Sequence, residues 1–156
     1  MIVKLNRKYL KEIIQLRFEE QYEYQAKERD EKFEEETKKY FEKYIDQSLY
    51  FFGIVEDDQI VSITSFKTIE YAPVIGSDGK EIYIFNVYTR PQYRNRDLAK
   101  KSMMEGIEYF KAQGYDCFRL HTNQPIARHM YHQLGFHDST TAMSLFIESD
   151  DLKCIK

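Results

Sequence analysis

The run from Glu81 to Thr89, Glu-Ile-Tyr-Ile-Phe-Asn-Val-Tyr-Thr, sets the terms for the whole chain. Its β-branched and aromatic residues specify a strand, and Pro91 ends it because proline has no ladder N–H to give. A polar turn carrying Arg94 and Arg96 follows, and an amphipathic helix begins at about Leu98. Strand, basic turn and helix start in that order make an anion site. The first helical N–H groups have no intrahelical partner, and the helix dipole favours negative charge there. Asp97 runs against the pattern by placing a carboxylate inside the turn.

The rest of the chain reads as elements arranged around this stretch. Residues 1 to 5 alternate weakly and predict a short strand, with Asn6 placed as a cap. Leu10, Ile13, Ile14 and Phe18 recur at spacings of three and four, which predicts a helix to about Gln25 with Arg17 and Glu20 near its inward face. The segment from Lys27 to Glu36 is densely charged, yet Phe33, Thr37, Tyr40, Phe41 and Tyr44 keep helical spacing through it. A second helix from about Asp30 to Asp46 follows, its acidic side of Glu31, Glu34, Glu35 and Glu36 facing solvent. From Leu49 to Phe66 two strand-like runs flank Glu-Asp-Asp-Gln, a β-hairpin, and Gly76-Ser-Asp-Gly79 marks a further turn.

Beyond the basic turn, Leu98, Ala99, Met103, Ile107 and Phe110 define a helix that Gly114 closes in the left-handed conformation. Cys117 to His121 reads as a short buried strand. Pro125 opens the next helix, with Ala127, Met130, Tyr131 and Leu134 on one face and Gly135 at its end. A last strand region covers about Phe136 to Glu148. The order is β, two helices, three strands, helix, strand, helix, strand, an α/β (α+β) fold with no internal repeat.

Composition narrows the function. A length of 156 residues predicts one domain spanning 1–156. With 23 Lys plus Arg against 26 Asp plus Glu, the net charge of −3 supplies no global field for nucleic acid or an anionic membrane, so neither is an expected partner. No apolar run approaches the roughly 20 residues of a membrane span. The opening Met-Ile-Val-Lys-Leu-Asn-Arg lacks the features of a signal peptide, and the expected location is cytoplasmic. Cys117 and Cys154 have no Cys-x-x-Cys spacing and read as free thiols. His129 and His132 are neighbours at i, i+3, but no carboxylate or cysteine completes a ligand set, and His121, His129, His132 and His137 read as surface residues with no metal site. The 13 Tyr and 11 Phe supply core, each ring contributing about 1.5 to 3 kcal/mol when buried.

The turn is not a Walker loop, nor a dinucleotide fingerprint, because residues 90 to 102 contain no glycine. Thr89-x-Pro91-x-Tyr93-Arg94-Asn95-Arg96-Asp97-Leu98-Ala99 instead resembles the acyl-CoA pyrophosphate loop of the GNAT superfamily of N-acetyltransferases, whose pattern is Gln or Arg, two residues, Gly, one residue, then Gly or Ala. Downstream, Ala127-Arg-His-Met-Tyr131-His-Gln-Leu-Gly135-Phe136 resembles that family's Ala-x-x-Leu-Tyr-x-x-x-Gly-Phe signature, with Met130 in place of Leu. The detailed resemblance covers about residues 81 to 137, and a looser one nearly the whole chain.

The resemblance implies a single-domain GNAT-like fold: a central mixed, mostly antiparallel twisted sheet flanked by about four helices. The strand before the loop would splay from its neighbour, and acetyl-CoA, as cosubstrate, would pair with backbone groups of Val87, Tyr88 and Thr89 like an added strand. The Val87 N–H would polarise the thioester carbonyl. The amides of Arg94, Asn95, Arg96, Asp97, Leu98, Ala99 and Lys100 would hold the pyrophosphate, with the Arg94 and Arg96 side chains adding charge. Asn123 would hydrogen-bond the pantetheine arm, with Gln124 a rival for the role. Tyr131 would protonate the departing thiolate. Glu81 is a candidate base, two residues before the position where family members with a strand glutamate place it, which here is Tyr83; Glu20 and water alone are rivals.

The acceptor implied is a primary amine of a small molecule, peptide or protein. It would enter between the first two helices and the strands, where Phe18, Tyr22 and Tyr24 suggest aromatic walls and nearby glutamates a cationic ligand. A homodimer is the expected assembly. Asp97 keeps a second reading open, a GNAT-fold binding or regulatory module with weakened or lost turnover. A carboxylate about 5 Å from a phosphate charge costs roughly 1 to 3 kcal/mol at effective dielectric values between 80 and 20.

Overall fold

The computed structural model describes residues 1–139. They form two compact units, Met1–Thr122 and a second that begins at Asn123. In the first unit, β1 (Ile2–Leu5) leads through a short 3-10 turn into α1 (Leu10–Gln25) and α2 (Glu31–Tyr44). Next come β2 (Leu49–Glu56), β3 (Gln59–Glu70) and β4 (Lys80–Thr89), then α3 (Leu98–Lys111) and β5 (Phe118–Arg119). The strands form one sheet in the order β1-β2-β3-β4-β5, antiparallel throughout except for the parallel pair β4 and β5. The second unit contributes α4 (Pro125–Gln133). This is the α+β fold with a mixed sheet and four helices that the chain's periodicities and its resemblance imply. The expected last strand, from about Phe136 to Glu148, lies largely outside the described residues, as does Cys154, and residues 136–139 are not strand.

Local chemistry accounts for the boundaries. The Asn6 side chain accepts from Lys8 N at the turn before α1, and Asp30 caps α2 by accepting from Phe33 N at 2.9 Å. Asp57 and Asp58 both take positive φ, 48° and 58°, at the tight hairpin turn. Gly114 follows α3 at φ 88°, where Tyr115 N reaches back to Phe110 O and closes the helix end.

Side chains of opposite sheet faces feed separate layers. Ile13, Ile14, Leu16 and Phe18 of α1 and Phe41 of α2 are buried in one cluster with Leu5, Phe51, Ile63 and Tyr88 of the strands. Elsewhere Phe52, Phe66 and Phe110 interlock, with ring centroids 5.5 and 5.6 Å apart, and so join α3 to β2 and β3. A buried polar bridge joins α3 to the sheet, Thr64 Oγ1 to Ser102 Oγ at 2.8 Å.

Two expectations change. Glu34 is not on the solvated side of α2; it is buried, its carboxylate accepting from Arg29 Nε and Nη2 at 3.1 and 3.0 Å and from Tyr22 Oη at 3.0 Å. Arg29 holds that carboxyl below the usual range. Cys117 to His121 is not a buried strand: only Phe118 and Arg119 are strand, Cys117 is half-buried and His121 exposed. Of the residues expected to wall an acceptor path, Phe18 and Tyr22 pack with Phe33 of α2 at 5.7 and 5.9 Å, and Tyr24 is exposed.

Gly106 of α3 sits where a Cβ would overlap the Phe66 ring. Gly106→Ala is therefore expected to destabilise the fold by about 1 to 3 kcal/mol despite alanine's better helix propensity, read as a lower midpoint in urea denaturation.

Candidate active site

The end of β4 is irregular in a specific way. Ser65 of β3 faces Phe85 and Ile63 faces Tyr88, so Thr64 stands opposite two residues, Asn86 and Val87. Asn86 takes φ 49°, a conformation asparagine tolerates better than most residues, and the extra residue makes a β-bulge. On the other edge, β5 pairs only with Ile82 and Tyr83. From Ile84 onward β4 has no strand neighbour on that side among the described residues, and Val87 has no register partner on either side. The Asn86 amide donates to Ser65 Oγ at 3.2 Å, while its carbonyl oxygen is buried without a partner. Such a group costs about 1 to 3 kcal/mol, so this strand end is not arranged for stability alone.

The loop that follows is built largely by left-handed residues. Asn95 has φ 60°, and Asp97 has φ 56° and ψ 22° at the N-cap of α3, where it makes no side-chain capping bond. Asp97 therefore adopts the backbone shape a glycine would take, while its side chain lines an open groove of about 440 Å³ with Lys100, Lys101, Met104 and Ile2. Leu98 anchors the helix start by packing, buried, against Ile54 and Val61 with Tyr93 beside them.

The arginines do not point their charge into free space. Arg94 donates to Glu23 at 2.6 and 2.9 Å and to the Thr89 carbonyl at 2.9 Å, and Arg96 donates to Glu56 at 2.7 and 3.0 Å. Arg90 donates to both carboxylate oxygens of Glu19, at 3.1 and 3.2 Å. Glu12, 3.9 Å from Arg90, accepts from Ile60 N. The Tyr88 hydroxyl donates to Glu23 at 3.1 Å, and burial together with that carboxylate raises its pKa to about 12. Expected phosphate ligands are thus neutralised by α1 and β2, and the α1 glutamates read as a cationic-ligand surface are spent on the protein's own arginines.

The other expected residues fall in different places. Glu81 is buried at the opposite end of β4 from Val87, accepting from Arg119 Nε at 2.8 Å and Tyr71 Oη at 3.0 Å. Glu20 is paired with Arg17 at 2.6 Å. Tyr83, at the strand position between Glu81 and the bulge, places its hydroxyl 3.1 Å from His121 Nδ1. In the second unit, Tyr131 is buried on α4 with its ring 5.9 Å from Phe136, and Asn123 and Gln124 precede that helix. Among the described residues no group of three His, Cys, Asp or Glu is placed to hold a metal ion, and no helix is long and apolar enough to cross a membrane.

The Acetyltransferase (GNAT) family model matches residues 10–136. The chain belongs to the GNAT acetyltransferase family. It is an acyltransferase by class, in a family that uses acetyl-CoA. No curated protein sequence matches it significantly. Its fold is similar to that of a predicted acetyltransferase with acetyl-CoA from Clostridium acetobutylicum, at 21% identity, covering 94% of this chain and 95% of that one with a TM-score of 0.82. A GCN5-related N-acetyltransferase from Ralstonia eutropha JMP134 is similar at 21% identity, 94% and 97% coverage and TM-score 0.74. An aminoglycoside acetyltransferase from an uncultured soil metagenomic sample, in complex with sisomicin, is similar at 15% identity, 95% and 96% coverage and TM-score 0.73.

Against this GNAT frame, two features were not read from the sequence. The bulge had a signal, Asn86 inside an otherwise β-branched and aromatic strand, since asparagine is depleted in strands. The α1 carboxylates had one too: Glu12, Glu19 and Glu23 lie at spacings of seven and four, one face of a helix.

Tyr88 gives the alkaline test. Its pKa is raised in the folded chain, so its contribution is complete below pH 10, the value for an unfolded tyrosine, and is lost as pH rises towards 12. Between pH 9 and 12 the wild type is expected to lose roughly 2 kcal/mol of stability relative to Tyr88→Phe, measured by urea denaturation of both proteins.

Proposed function

We propose that this chain, as one acetyltransferase domain over 1–156, transfers the acetyl group of acetyl-CoA to a primary amine of a small molecule, peptide or protein. The observation that carries the reading is the pairing of an open, bulged β4 edge at Val87 with the uncapped start of α3 a few residues later. A strand edge suits the amide-bearing arm of an acyl-CoA, and a helix start suits its diphosphate, so the residues present fit that ligand. Bound there, it would supply an acyl carbon activated as a thioester. Val87, Tyr88 and Thr89 would hold the arm through their backbone, with the Thr89 carbonyl shared with Arg94. The Val87 N–H would stabilise charge on the acyl oxygen. The amides from Arg94 to Lys100 would take the diphosphate. The motif match supports Asn123 as a further ligand of the arm and Tyr131 as the acid that protonates the thiolate. Glu81, held by Arg119 and Tyr71, is a poor base. The resemblance also supports a cytoplasmic homodimer.

One observation favours a binding or regulatory module instead: Asp97 keeps its carboxylate at the start of α3, and the neighbouring arginines are already ion-paired. Asp97→Gly removes that charge and the left-handed strain together. In calorimetry, acetyl-CoA is expected to bind the wild type in the micromolar to millimolar range and Asp97→Gly about tenfold or more tightly. No binding heat with either protein at millimolar ligand would sink the acetyl-transfer reading. If acetyl-CoA binds but a panel of amines releases no free thiol, the module is the correct reading. Tyr131→Phe is expected to lower turnover with acetyl-CoA affinity unchanged; an equal rate would remove Tyr131 from the mechanism.

A further inference from the structure

With Glu81 and Glu20 both ion-paired, the acceptor's proton needs another destination. Continuing the parallel register in which Arg119 faces Tyr83, His121 comes level with Phe85, about 7 Å of strand rise short of Val87 and just past the last β4–β5 pair. It therefore stands on the lip of the opening beside β4. Its ring is exposed, Nδ1 is 3.1 Å from the Tyr83 hydroxyl, and Nε2 has no partner among the described residues. The two rings lie 5.6 Å apart, and Tyr83 in turn stacks on Phe85 at 6.2 Å and 16°, so the phenol that holds the imidazole is itself held.

We propose that His121, oriented by Tyr83, is the base that takes the proton from the acceptor amine, a role that rests on the acetyl-transfer reading above. In this role Nδ1–H donates to the Tyr83 oxygen 3.1 Å away, the tautomer that leaves the Nε2 lone pair directed outward. Tyr83 cannot replace it as base, because burial pushes its phenol above the ordinary value and only Arg17 opposes that shift. Among the described residues the charged groups on this side are Arg17 of α1, 6.0 Å over the Phe85 ring and bound to Glu20, and Arg119 of β5, bound to Glu81. Neither pair offers a free carboxylate. In the step, a proton passes from the substrate ammonium to Nε2. The nitrogen lone pair then forms the C–N bond to the acyl carbon, the C–S bond breaks with its electron pair going to sulfur, the second proton lost by the attacking nitrogen passes to that sulfur, and His121 returns the first proton to water. Amine and thioester become amide and thiol.

His121→Gln keeps a hydrogen-bonding side chain at the site but cannot take up a proton near neutrality. With an amine that the wild type acetylates, its kcat/KM is expected to fall about a hundredfold at pH 7 and to lose the limb on which the wild-type rate rises with pH, while calorimetric acetyl-CoA affinity stays unchanged. Tyr83→Phe is expected to keep the limb at about a tenfold lower rate. A readout without turnover accompanies these: in long-range 1H–15N NMR of the ligand-free protein, the imidazole whose signals vanish in His121→Gln should be the Nδ1-protonated tautomer, reverting to Nε2-protonated in Tyr83→Phe. An active wild type matched by His121→Gln in rate and pH profile overturns the His121 assignment alone, as does an Nε2-protonated tautomer in the wild type. A wild type that binds acetyl-CoA but acetylates no amine overturns the transfer reading and this proposal with it.

Discussion

One extra residue in β4 determines how this molecule presents itself. With Asn86 at positive φ and Thr64 facing both it and Val87, the strand gains a residue against its neighbour. Two consequences follow from the same insertion. Tyr88 joins the cluster between α1, α2 and the sheet, against which Phe85 also packs. Beside the bulge, on the edge away from β3, β4 continues past the end of β5 with no strand neighbour among the described residues, so backbone there keeps its hydrogen-bonding capacity. A regular ladder carried to Thr89 would be the more stable sheet and would have no place for an extended ligand.

The neighbouring loop is held by charge on a shared face of α1. Glu12, Glu19 and Glu23 reach across to Ile60, Arg90, Arg94 and Tyr88. Exposed pairs of this kind contribute about 0 to 1 kcal/mol each, so Arg94 with Glu23 stabilises little by itself. The Arg90 cluster is more enclosed, with the arginine side chain 15% exposed, and it ties the end of β4 to the helix. These pairs act chiefly on geometry: they tie the loop to α1.

Periodicity carried most of the architecture. The spacings of Leu10, Ile13, Ile14 and Phe18, and of Leu98, Met103, Ile107 and Phe110, place α1 and α3 within a residue or two, because one-sided burial leaves a plain pattern. Glu34 shows where such patterns fail. A glutamate in an acidic run looks solvated until Arg29, five residues back in the connection from α1, folds over to meet it, and only the turn between the helices brings them together. The candidate site divides likewise. The loop was legible as a contiguous motif, whereas the pairing of Tyr83 with His121 joins residues 38 apart through a parallel register that no spacing encodes. The arginines were legible as charges but not as occupied ones.

Because Arg90, Arg94 and Arg96 each face a carboxylate, the charge of these three arginines is compensated locally, while Lys100 and Lys101 line the groove with Asp97. An anion approaching this loop gains less long-range attraction than its basic sequence suggests. The same compensation lowers the dependence of such an encounter on ionic strength, since there is less attraction for salt to screen. For the acyl-CoA proposed above, selectivity would then reside at short range, in a ligand's ability to lie along a strand edge and reach a helix start together, which a simple phosphate ion cannot do.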